Sequence, residues 1–148
     1  MDRLDLELLK STFHADGEVH FGIFDGNAHG FCDFDIPFIR DNLTMGSHRF
    51  STATIRFETD TRALSESYML GNAAAPSPGG TMLNFPDNIR YLDVWEKRDG
   101  VWRMYCRELV LDWNAFWSYS QREDGLFTAL SRGARDLSDL SYALRAGC

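Results

Sequence analysis

The stretch NIRYLDVWEKRDGVWRMYCRELVLDW, residues 88–113, decides the fold class. Two runs rich in Tyr, Trp, Val and Leu flank Asp99–Gly100. Such residues favour a pleated, half-buried surface. Asp-Gly suits a two-residue hairpin turn, whose two central residues both need positive φ. The stretch therefore predicts a long antiparallel hairpin. Working back, SHRFSTATIRFETD (47–60) alternates with period two. His48, Phe50, Thr52, Thr54 and Arg56 fall on one face, and Ser51, Ala53, Ile55 and Phe57 on the other. A polar turn leads to a second alternating run, RALSESYMLGNAA (62–74), and PSPGG (76–80) reads as a loop. Four long antiparallel strands follow.

Before these strands the period is helical. Leu4, Leu8 and Leu9 predict an amphipathic helix up to Phe13 that stops at HADG (14–17). EVHF (18–21) predicts a short strand before a turn at Asp25–Gly26. Residues 28–42 predict a helix bent near Pro37. After Trp113, AFWSYS (115–120) is expected to cover the sheet edge, and residues 124–131 to hold one or two helical turns. Residues 132–148 read as an extended polar tail, leaving residues 1–131 as one domain. Helices segregated from an antiparallel sheet make an α+β domain. A strongly curved sheet closed by the N-terminal helices would enclose a cone-shaped apolar pocket.

Composition narrows the function. The formal charge of −7 and the scattered arginines exclude a nucleic-acid footprint. Eleven Phe and four Trp suit a ring-lined interior. Cys32, Cys106 and Cys148 are odd in number and lack a C-x-x-C spacing, which fits a reducing, cytoplasmic setting. MDRLDLELLK resembles neither a signal nor a transit peptide, and no apolar run reaches membrane-spanning length.

Four constellations carry possible chemistry. His14, Asp16 and His20, with His48, contain metal-ligand types, but a spacing of six across Gly17 does not put the first two histidines on one helix face. The alternative is a helix-end His14 and a strand-face His20. No cysteine has a base beside it in sequence, so structural thiols are the simpler reading. Asp33 and Asp35 lie in FCDFDIPF, an apolar setting that would raise a carboxyl pKa, yet two residues apart on a helix they do not face each other. An Asp16–His48 dyad is the fourth. A carboxylate accepting the Nδ1–H of imidazole leaves Nε2 free as a general base near neutral pH.

DRLDLELLKSTFHADGEVHFGIFDG (2–26), MGSHRFSTATIRFETDTRALSESY (45–68), RYLDVWEKRDGVWRMYCRELVLDWN (90–114) and RGARDLSDLSYAL (132–144) together resemble the SnoaL-like branch of the NTF2-like superfamily. The resemblance implies an α+β cone around a pocket, and it has dehydratases and a dehydrochlorinase among its members. It places the catalytic aspartate at Asp16 and the catalytic histidine at His48. Arg107 matches a pocket-lining arginine, with Arg103 two residues away. The strand after the histidine strand offers only Tyr68 and Asn72 where the dehydratases carry a second His or Asp. Relatives have a longer first helix, and Met1 opens inside the matching segment. The implied function is a cofactor-independent lyase or isomerase, without metal, acting on a small apolar ring compound. The alternative is a non-catalytic ligand-binding or accessory domain. A homo-oligomer is expected, a trimer before a dimer.

Overall fold

The computed structural model describes residues 1–118 and 124–142. Helix α1 (Leu6–Ser11) is capped by Asp5, whose carboxylate accepts the Leu8 N–H at 2.9 Å. It ends at Thr12, whose hydroxyl bonds the Leu9 carbonyl. Strand β1 (Phe13–His20) and the short β2 (Asp25–Asn27) follow. The segment expected to end the helix, HADG, is thus strand, and the helix stops two residues earlier than its apolar spacing suggests. Burial explains the difference: Phe13 and Val19 are core residues, held against α2 (Ala28–Asn42). Asn27 caps α2 by accepting the Gly30 N–H, while its amide nitrogen donates to the Ala15 carbonyl at 2.8 Å. One side chain therefore starts the helix and ties it to β1. Phe31, Cys32, Asp35, Ile36 and Ile39 recur at three and four residues on its buried face.

Strands β3 (Met45–Thr59), β4 (Arg62–Pro76), β5 (Met82–Arg98) and β6 (Val101–Asn114) form the antiparallel meander read from the sequence. Asp99 and Gly100 both take positive φ, 52° and 79°, as the hairpin turn requires. Trp117–Ser118, β7, pairs with the start of β5, and Gly125–Ala129 forms a 3-10 turn. The sheet order is β2-β1-β6-β5-β4-β3. One pair, β1 with β6, is parallel, so the sheet is mixed where only antiparallel pairing was expected. The fold is α+β, a curved and unclosed sheet with its helices on the β1 side.

Two clusters make the core. Phe13, Val19, Ala28, Phe31, Cys32 and Met104 join the helices to β1 and β6. Met69, Ile89 and Tyr91 line the inner face of β4 and β5. Expected face sharing along β3 fails at one point. A register shift between Phe50 and Ala53 passes the face of His48 and Phe50 on to Ala53, Ile55 and Phe57. An extra residue in a strand has this effect, because it turns every later side chain over. Cys106 and Cys32 are free thiols; Cys148 lies outside the described residues.

Candidate functional site

His48 opens β3 at the mouth of the sheet. Its ring Nδ1 bonds the carboxylate of Asp2, and its backbone N–H donates to the other oxygen of Asp2 at 3.0 Å. Asp2 thus grips His48 at two points and fixes the ring, with Nδ1–H donating and Nε2 left with its lone pair. Burial raises the Asp2 carboxyl, but the two bonds and the charge of His48 outweigh it and hold the group below the ordinary carboxylate range. No other hydrogen bond to His48 side-chain atoms occurs among the described residues.

The structure does not bring Asp16 to this histidine. The β1–β6 pairing breaks between Phe13 and Glu18, and Gly17 passes so near the Tyr105 carbonyl that a Cβ would lie 2.9 Å from it. This irregularity turns Asp16 outward, where its side chain is 63% exposed and binds Arg98 at 2.7 Å. That hydrogen bond holds the Asp16 carboxyl low. Three strands separate β1 from β3, so the expected pair gives way to Asp2–His48. His14 is buried and donates Nε2–H to the Glu96 carbonyl, and His20 bonds Asp25 at the β1–β2 edge. Among the described residues no group of three or more His, Cys, Asp or Glu converges as a metal site.

Arg107 does stand with His48. Both line a cavity of about 370 Å³ together with Leu8, Leu9, Phe50 and Tyr91. Arg107 is clamped by Asp93, through Nε at 2.7 Å and Nη2 at 2.9 Å, and its guanidinium carbon lies 3.9 Å from the Tyr91 ring centroid. Asp93 is 4% exposed, so the pair is deep and stiffly oriented. Arg103 instead donates to the Ser11 carbonyl near α1. Tyr68 is exposed on the outer side of β4, away from Ser67 and Met69. Asn72 lines a second, larger cavity of about 850 Å³, which shares Asp2 and Arg3 with the first. The residues of 131–135 and Asp139 border this cavity. Asp139 accepts from Arg3 at 2.8 Å, and Arg135 donates to the Ile39 and Leu43 carbonyls.

Asp2 and Asp87 were not singled out from the sequence; Asp35 was, in FCDFDIPF, and burial does push its carboxyl up to about 6. Asp2 precedes the first periodic residue and carries no local signal. Asp87 had one: Gly71, a glycine inside a strand, which often marks a close approach. Residue 71 pairs with both His48 and Asp87.

A family model for the SnoaL-like domain matches residues 1–108. The chain belongs to the SnoaL-like family. A search of curated protein sequences finds no match. Among solved structures, this SnoaL-like chain is similar to a candidate scytalone dehydratase from Novosphingobium aromaticivorans. The two are 24% identical with a TM-score of 0.67, over 82% of this chain and 78% of the other. It is also similar to a type 3 hexachlorocyclohexane dehydrochlorinase, LinA, from Novosphingobium barchaimii. That pair is 16% identical with a TM-score of 0.68, over 82% and 84% of the two chains. A type 2 LinA gives 16% identity and a TM-score of 0.66, over 79% of this chain and 78% of that one. At these identities the likeness is one of fold.

Proposed function

We propose that this SnoaL-like chain is a cofactor-independent lyase or isomerase for a small, largely apolar ring compound, with His48 as general base. The carrying observation is the double grip of Asp2 on His48, beside an apolar cavity that also holds Arg107. The Nε2 lone pair takes a proton from a ring carbon next to an electron-withdrawing group. Asp2 holds the tautomer and stabilises the imidazolium that forms. Arg107, oriented by Asp93 and Tyr91, faces the negative charge that develops on the substrate oxygen. Leu8, Leu9 and Phe50 keep water from the reacting carbon.

The test is a screen of ring ketones and ring halides by product spectra, with His48→Ala and Asp2→Asn beside the parent. General-base catalysis contributes on the order of 10² to 10⁴-fold, so each variant should lose at least about 10²-fold in rate. Unchanged turnover in His48→Ala would remove it as the base. The dehydratases and dehydrochlorinases sharing this fold make elimination the first reaction to try.

A further inference from the structure

Resting on the reading of His48 as base, we propose that residues 133–142 are a positioning element for the Asp2–His48 pair, acting through the ion pair of Asp139 with Arg3. Asp2 belongs to residues 1–5, which precede α1 and have no ladder or helix to hold them. Leu4 there takes a φ of 55°, a conformation that a bulky side chain rarely adopts. Among the described residues, two hydrogen-bonded attachments run from side chains of residues 1–4 to the rest of the fold. One is the grip of Asp2 on His48, and the other is the bond from Arg3 Nε to Asp139 Oδ1 at 2.8 Å.

Asp139 is itself firmly seated. It is 7% exposed, and its carboxylate also accepts the Ala134 N–H at 2.9 Å and the Ser141 N–H at 3.0 Å. Donors from Ser141, Arg3 and Ala134 hold this carboxyl well below the ordinary range, so it keeps its charge for Arg3 into acid.

The same segment has two further holds. Tyr142 donates its hydroxyl to Asp5 at 2.7 Å, while the other Asp5 oxygen caps α1. Arg135 donates to the carbonyls of Ile39 and of Leu43, the residue that closes α2 before β3. The two elements that meet in the Asp2–His48 contact are thus fastened to one strap, and Asp139, Tyr142 and Arg135 all come from RGARDLSDLSYAL (132–144). Arg3 is 39% exposed, and a pair so open to solvent adds little to stability. Its effect is on orientation, where a misplacement of about 1 Å can cost about 10²-fold in rate. Asp139 is a positioning residue.

The tautomer of His48 reads this bridge without a substrate. Heteronuclear NMR of the imidazole nitrogens in the full chain distinguishes Nδ1–H from Nε2–H, and His48→Ala identifies the signal. At a pH of about 8.5, well above the ordinary imidazole pKa, the parent should favour Nδ1–H by at least about tenfold, a ratio that one hydrogen bond to a charged group supplies. Asp139→Ala and Arg3→Met should each lower the ratio to about threefold or less, with folding checked by near-UV circular dichroism. Arg3 lies partly in solvent, so Arg3→Met folds and decides the matter if Asp139→Ala does not. Arg3→Lys should keep the parent ratio, because a point charge can make this single-pronged contact. A ratio above about threefold in either folded variant, or its loss in Arg3→Lys, overturns the bridge and leaves His48 standing as base. A parent without a dominant Nδ1–H form overturns both. Full turnover in His48→Ala removes the base alone.

Discussion

At the scale of single residues, the candidate side chains sit in charge pairs of unequal depth. Arg107 and Asp93 are the deep pair. Arg107→Met leaves Asp93 buried without its counter-charge, and breaking such a pair costs about 3–5 kcal/mol. Urea melts should show that loss, and Arg107→Lys should fall between variant and parent because a point charge cannot make the two-pronged contact. Asp16 and Arg98 are the opposite case, an exposed pair screened by solvent. Asp16→Asn should leave both the urea midpoint and any turnover unchanged. The contrast explains what the sequence could reveal of the site. His48 stood out at the start of an alternating strand, and Arg107 was named only through the family resemblance. Asp16 stood out too, beside two histidines, but the strand irregularity at Gly17 faces it outward. Nothing in local spacing records an ion pair such as Asp2–His48 that joins residues from different elements.

At the scale of elements, the long hairpin was fully legible, because Asp-Gly has few conformational choices and its flanks are β-formers. The β3 strand was legible in extent but not in facing. Its irregularity after Phe50 leaves no mark in composition, although it decides which side chains look inward. The first helix was read too long because Phe13 keeps helical spacing while its burial is claimed by the sheet. Gly17 offers the element-level prediction. A methyl group there meets the backbone oxygens of Tyr105 and His14 at 2.9 and 3.0 Å, and backbone cannot step aside as a side chain can. Gly17→Ala should cost about 1–3 kcal/mol, the usual range for overpacking, read from thermal or urea unfolding.

At the scale of the whole molecule, stability should depend on pH in an unusual sense through Asp35. Its folded carboxyl sits near 6 because burial disfavours the charge, and the nearby charges of His48 and the N-terminal amine only partly offset this. The unfolded carboxyl titrates near 3.8. Below that value both states hold the proton and nothing is lost. As pH rises from about 4 to 6 the unfolded chain releases its proton more readily, so the fold loses about 3 kcal/mol that stays lost above 6. Asp35→Asn should therefore be more stable than the parent at pH 7.5 and indistinguishable from it at pH 3.5, by urea titration at both. A homo-oligomer, trimer before dimer, is a further proposal: Tyr68, Leu70 and Leu92 are exposed on the outer sheet face. Light scattering of the eluting peak checks it. The parallel β1–β6 pair has a consequence for the order of assembly. Val19 meets Arg107 only after most of the chain between them has been gathered into the meander, so this contact closes a very long loop. Pairings of such high contact order form slowly and late. Asp2, on the segment leading into β1, then reaches His48 near the end of folding, which makes the dyad a reporter that the chain has finished.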